Sequence, residues 1–226
     1  MTDTDKSQFI ARLSERLGRP LPTAVAPPEW ENHPWDDLND GHDREDVIRQ
    51  FIDNLSAAGG EAVRVPDRAA LKEQIHRDLV EKDLRKLVLW EEENLASLIR
   101  EADLSEVTLW DSKSEAEALI TRAERADAGL VEAEWGLAFS GTVLLWNEQG
   151  RGRSVSLLPS HCLVVLSEDR IVPRMEPALS WIRDQRDVPA CVNFISGPSR
   201  TSDIENDLSI GVHGPGFLRV YIVGEE

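Results

Sequence analysis

Apolar positions recur at helical spacing from the start of the chain. Phe9, Ile10, Leu13 and Leu17 share one face of a helix predicted over residues 4–17, which Gly18 and Pro20 stop. Residues 19–42 lose all periodicity. They hold five of the twelve prolines, together with Trp30 and Trp35, and read as an irregular arm. From Asp43 the pattern alternates. Asp43 is placed to cap a helix carrying Val47, Phe51, Ile52 and Leu55, which Gly59-Gly60 ends. A strand over 62–65 follows, and Asp67 then caps a helix through Leu71, Ile75 and Leu79. The run Lys86–Trp90, K-L-V-L-W, reads as a buried strand, residues 92–102 as helix, and 107–110 as strand. Ser112-Lys113-Ser114-Glu115 has the S-x-x-E form of a capping box ahead of a helix to about Ala126.

Strand and helix alternating at this spacing predict right-handed crossovers and a mostly parallel sheet flanked by helices. The second half is different. Strand signals over 129–132, 142–146, 154–158 and 162–166 are short and close together, as in an antiparallel insertion or a sheet edge. A helix starting at Pro173 and carrying Met175, Leu179 and Ile182 comes next, then strands over 192–195 and 218–223. The expected organisation is an N-terminal helix and arm over 1–42, followed by one α/β domain over 43–226.

The net charge is −17, from 25 basic and 42 acidic residues. It argues against nucleic acid, whose binding needs a basic footprint, and against anionic membrane surfaces. No run reaches the roughly 20 apolar residues of a membrane span, and no apolar signal core follows Met1, so a cytoplasmic location is expected. The two cysteines, Cys162 and Cys191, form no C-x-x-C pair. They fall short of the four thiolates of an ordinary iron–sulfur cluster, so any such cluster belongs on a partner. No H-E-x-x-H, G-x-S-x-G, P-loop or G-x-G-x-x-G pattern occurs, and no metal site is expected.

Three loops stand out. Ser140-Gly141-Thr142 precedes a strand, where small residues let a ligand approach the backbone or simply make a tight turn. Gly197-Pro198-Ser199-Arg200-Thr201-Ser202-Asp203 follows the strand 192–195. With hydroxyls, a planar guanidinium and a short helix start, it can cradle an anion, or Asp203 can merely cap the next turn while Arg200 pairs with Asp203 or Glu205. Gly211-Val212-His213-Gly214-Pro215 sets a histidine between glycines, either facing a cleft or serving the turn. Glu132 and Glu134 can act as acid, base or nucleophile, or as solvated surface. His161 reads as a core or edge histidine.

Four segments in this order resemble the LUD-domain family: Ala138–Thr142, Arg153–His161, Gly197–Glu205 and Gly211–Pro215. The likeness covers roughly residues 43–224, and its last two segments are the specific ones. It implies a fold like that of ribose-5-phosphate isomerase, glucosamine-6-phosphate deaminase and the CoA transferases. It also implies a part in oxidising L-lactate to pyruvate beside lactate-utilisation proteins A and B, which carry the iron–sulfur clusters. Lacking a cysteine-rich segment, the chain looks like the stand-alone members of the family. Its first motif departs from the usual A-E-T-G-T block, with Phe139 in place of the acid. The expectation is an accessory subunit with a small-anion pocket made by Ser140, Gly141, Thr142, Gly197, Ser199, Arg200, Thr201 and His213. The rival is an independent enzyme acting on a phosphosugar, acyl-CoA or folate-like substrate through Glu132 or Glu134. The tryptophans of the arm suggest a third role, docking a partner or a second copy as a homo-oligomer.

Overall fold

The sheet at the centre of the computed structural model explains most of the apolar pattern. Residues 3–20, 43–202 and 208–224 are described. They fall into two units, Met1–Asp40 and Gly41–Glu226. The first holds helix α1 (Asp3–Leu17), on which Phe9, Leu13 and Leu17 are exposed. The arm over 21–42, with Trp30 and Trp35, lies outside the described residues.

The second unit runs α2 (Arg44–Ala57), β1 (Glu61–Val65), α3 (Arg68–Glu81), β2 (Lys86–Trp90), α4 (Glu93–Leu98), β3 (Glu106–Trp110), α5 (Ala116–Arg125) and β4 (Ala128–Ala133). It continues through β5 (Trp135–Leu137), β6 (Thr142–Asn147), α6 (Ser154–Leu157), β7 (His161–Ser167), β8 (Ile171–Val172), α7 (Glu176–Asp184), β9 (Cys191–Ile195), β10 (Arg200–Ser202), β11 (Leu208–Ile210) and β12 (Phe217–Val223). Six strands form one sheet in the order β1-β12-β7-β4-β2-β3, and every neighbouring pair is parallel. The inner strands β2, β4, β7 and β12 are apolar at almost every position because helices cover both faces. A second sheet, β8-β5-β6-β9, pairs β6 antiparallel to both β5 and β9. Of the short, crowded strands expected in the second half, only 142–146 falls in this antiparallel insertion, as β6; 129–132 and 162–166 become β4 and β7 of the parallel sheet. A hairpin, β10-β11, completes the unit.

One polar cluster is built into the interior. Asp78 on α3 is buried; it accepts a hydrogen bond from Tyr221 Oη at 2.7 Å and from Gln74 Nε2 at 2.9 Å, and pairs with Arg219 Nε at 2.7 Å. Burial and the Asp78 carboxylate push the Tyr221 hydroxyl well above its ordinary range. The cluster ties α3 to β12 through the Asp78 carboxylate. Both cysteines are free; burial pushes the Cys162 thiol up to about 12, so it stays protonated.

Several local expectations are corrected. Residues 154–158 form a helical turn, not a strand. Four residues of alternating Ser, Val, Ser and Leu satisfy either pattern, and the choice falls to packing: the Val155 carbonyl lies against Gly129 of β4, where a Cβ would come within 1.8 Å. The capping box does not form. Asp111 takes the Lys113 and Ser114 amides instead, at 2.7 and 2.6 Å, and α5 starts only at Ala116. Asp43 makes no capping hydrogen bond, whereas Asp67 accepts from the Ala70 amide as expected, at 2.8 Å. α4 stops at Leu98, short of Ala102, as the chain turns through Glu101 at φ 70°. α7 begins at Glu176, three residues beyond Pro173.

Candidate functional site

The three glycine-bearing loops meet. A chain of hydroxyls links the first to the second: Ser140 Oγ lies 2.6 Å from Thr142 Oγ1, which lies 2.6 Å from Ser196 Oγ. Thr142 is buried beneath this contact. The second and third loops are joined by backbone. The Ser199 amide donates to the Pro215 carbonyl at 2.8 Å, and the Gly211 amide donates to the Ser199 carbonyl at 2.9 Å.

Helix α2 is the platform for all of this. Gly141 adopts φ 58°, and a Cβ there would come within 2.2 Å of the Leu55 amide nitrogen. Asn54 fixes the same turn by donating to the Ala138 and Phe139 carbonyls at 2.8 and 3.0 Å. Gly197, at φ 87°, lies where a Cβ would come within 2.5 Å of the Ala58 carbonyl oxygen. Only glycine tolerates such approaches in the left-handed region.

Gly197, Ser199 and His213 line one cavity of about 280 Å³, with Ser196, Ser156 and Asn193 among the other walls. It opens beside Cys162 and Leu218, near the amino ends of β7 and β12. His213 and Arg200 are exposed. The expected helix start after Gly197 is replaced by strand β10, which carries Arg200 and Thr201. The helix end that the loop does face is the carboxyl end of α2. Arg200 Nη2 sits so close to Gly59 that a Cβ there would come within 2.3 Å. That end bears partial negative charge and favours the guanidinium. Anion binding here would therefore rest on hydroxyls, amides and Arg200, without help from a helix amino end. Asp203 and Glu205 lie outside the described residues.

Glu132 and Glu134 are elsewhere, at the carboxyl end of β4. They line a cavity of about 330 Å³ with Glu92, Arg151, Ser167, Asp169 and Arg170. Arg151 pairs with Glu92 and, at 2.5 Å, with Glu134. Burial first, and then the charge of Glu92, push the Glu132 carboxyl above its ordinary range. His161 is half-buried at the start of the inner strand β7; its Nδ1 lies 3.0 Å from Ser160 Oγ and its ring 5.0 Å from Phe217, and burial lowers its pKa.

Sequence reasoning passed over Asn54, Ser196, Glu92, Arg151 and Arg170. Glu92 carried a readable signal, since it lies two residues past the strand β2 and the carboxyl ends of parallel strands are where such sheets place ligands. Arg151 and Arg170 carried none.

Comparison with known proteins agrees with the four motifs. Residues 48–223 match the LUD domain. The chain belongs to the LUD domain family. Among its relatives, lactate utilization protein C of Bacillus subtilis (strain 168) is 36% identical over 230 residues, covering 95% of this chain and 94% of that one. Lactate utilization protein C 1 of Bacillus mycoides (strain KBAB4) is 33% identical over 235 residues, covering 100% and 99%. The crystal structure of a DUF162 family protein from Deinococcus radiodurans matches with a TM-score of 0.61 at 24% identity, covering 81% of this chain and 100% of that one. It supports the LUD fold. Among the described residues no helix is long and apolar enough to cross a membrane.

Proposed function

We propose that this LUD-domain chain is an accessory subunit of a lactate-utilisation system, serving the oxidation of L-lactate to pyruvate beside lactate-utilisation proteins A and B. In that reaction two electrons and two protons leave lactate, and the electrons pass to the iron–sulfur clusters of the partners. The observation that carries the reading is similarity over nearly the whole chain to lactate utilization protein C, at 36% identity for the Bacillus subtilis relative.

Within that role the loop cavity holds a small anion. Its walls offer the hydroxyls of Ser196 and Ser199, and His213 stands at its edge. Arg200, one residue past Ser199, supplies the fork that suits a carboxylate or phosphate. Ser140, Gly141 and Thr142 act from beneath, since Thr142 orients Ser196.

Growth on L-lactate as sole carbon source tests both levels, with glucose as control, in a host without another lactate-oxidising system. Deletion of the gene abolishes growth on lactate alone, and the intact gene restores it. The Arg200→Ala gene, producing folded protein at normal abundance, does not. Normal growth of the deletion strain overturns the role; full rescue by Arg200→Ala overturns the anion pocket and leaves the role standing.

A further inference from the structure

The charged cleft at the carboxyl ends of β2, β4 and β7 shares no lining residue with the loop cavity. Its position is informative. From β2 the chain moves outward through α4 to β3, whereas from β4 it moves the other way to β7. Adjacent parallel strands whose connections diverge leave a crevice at their carboxyl ends, and ligands of open α/β sheets sit in that crevice.

Inside the cleft the charged groups fall into two classes. Glu92 and Glu134 are committed to Arg151, whose guanidinium also lies 5.4 Å from the Trp90 ring centroid. Asp169 accepts a hydrogen bond from Ser167 Oγ at 2.5 Å. Glu132 and Arg170 have no such commitment. Glu132 makes no hydrogen bond or ion pair with any described residue, although it is half-buried. Arg170 pairs with no carboxylate among the described residues; its guanidinium is steadied over the Trp135 ring, 5.4 Å from the centroid. A half-buried carboxylate without a donor is a costly arrangement to maintain for stability alone.

The two uncommitted groups specify a ligand. A guanidinium recognises a carboxylate through two parallel N–H bonds. An ionised glutamate only accepts, so it recognises a hydroxyl or an ammonium. We propose that the cleft is a second ligand site, taking a short-chain carboxylic acid with a hydroxyl or amino group on the adjacent carbon. Its carboxylate lies on Arg170, and its hydroxyl or ammonium donates to Glu132. Arg151 is a positioning residue: it holds Glu92 and Glu134 away from the ligand. The site binds without making or breaking a bond. The cavity of about 330 Å³ exceeds a three-carbon acid and leaves room for water.

Isothermal titration calorimetry on the full chain tests this, with L-lactate and L-alanine as probes. Saturable binding of at least one is expected below about 10 mM. Arg170→Ala weakens that binding roughly tenfold or more, the effect of losing a charge-assisted hydrogen bond. Arg170→Lys, which keeps the charge but not the fork, falls between. Glu132→Gln separates the two sources: its amide oxygen still accepts from a hydroxyl, so lactate binding persists, while alanine binding falls roughly tenfold or more with the lost charge. No saturation by either probe up to about 50 mM overturns the site. So does binding that Arg170→Ala does not weaken. The site does not depend on the lactate-growth test, so either reading can fail alone.

Discussion

The loop cavity and the charged cleft sit at opposite ends of the same parallel sheet and are made of different material. The loop cavity, by the amino ends of β7 and β12, is built from backbone and hydroxyls: Gly141 and Gly197 pressed onto α2, and Thr142 against Ser196. The cleft at the carboxyl ends is built from long charged side chains projecting from strand ends, with Arg151 between Glu92 and Glu134. The first owes its shape to sterics, which are short-ranged and unforgiving. The second owes its shape to charge balance, which is softer and depends on pH. The difference teaches where each will break.

The largest effect is expected at the loops. Gly141→Ala forces a side chain into the left-handed region and onto the Leu55 backbone. It should cost roughly 2–4 kcal/mol in urea unfolding. A loss under about 0.5 kcal/mol would show that the loop yields easily and that the contrast is not one of rigidity. In the cleft, Arg151→Ala strands Glu92 and Glu134, whose side chains are only 17% and 24% exposed. The expected cost is about 1–3 kcal/mol, below that of a fully buried pair because water reaches these groups. Adding Glu134→Gln to Arg151→Ala should recover part of it, because one stranded charge is removed.

The smallest effect carries the clearest signature. Burial raises the Glu132 carboxyl above its ordinary value of 4.5. The folded state therefore holds this proton more tightly than the unfolded chain does. Stability from this group is intact at low pH and is lost as pH rises from the ordinary value through the raised one. Glu132→Gln removes the penalty of burying the charge. It should melt above the parent protein at about pH 8 and match it at about pH 4. A variant less stable at the higher pH would mean that the carboxylate is satisfied in the folded state, and would remove the uncommitted acid from the cleft.

The two regions also differ in how far they could be read from the chain. Gly197-Pro198-Ser199 and Gly211–Pro215 announce themselves because tight turns need glycine and proline, and both do line the loop cavity through Gly197, Ser199 and His213. Their mode of assembly was misread: an anion-favouring helix start was expected after Gly197, and the structure has the carboxyl end of α2 beneath the loop and strand β10 after it. No local pattern reports which end of a distant helix a loop will meet. Glu132 and Glu134 read alike in the chain, each as acid, base or nucleophile or as solvated surface. Their different situations, one tied to Arg151 and one free, depend on a residue 17 positions beyond Glu134.

What the sequence determined by itself is what short-range chemistry controls. The buried run Leu87–Trp90, the Asp67 cap of α3 and the alternation that yields a parallel sheet all follow from periodicity and local hydrogen bonding. The tertiary structure alone decided whether Ser154–Leu157 coils or extends and which charges in the cleft are neutralised. In each case the competing local states differ by about a kcal/mol or less, and contacts made far along the chain supply the larger energy that selects among them.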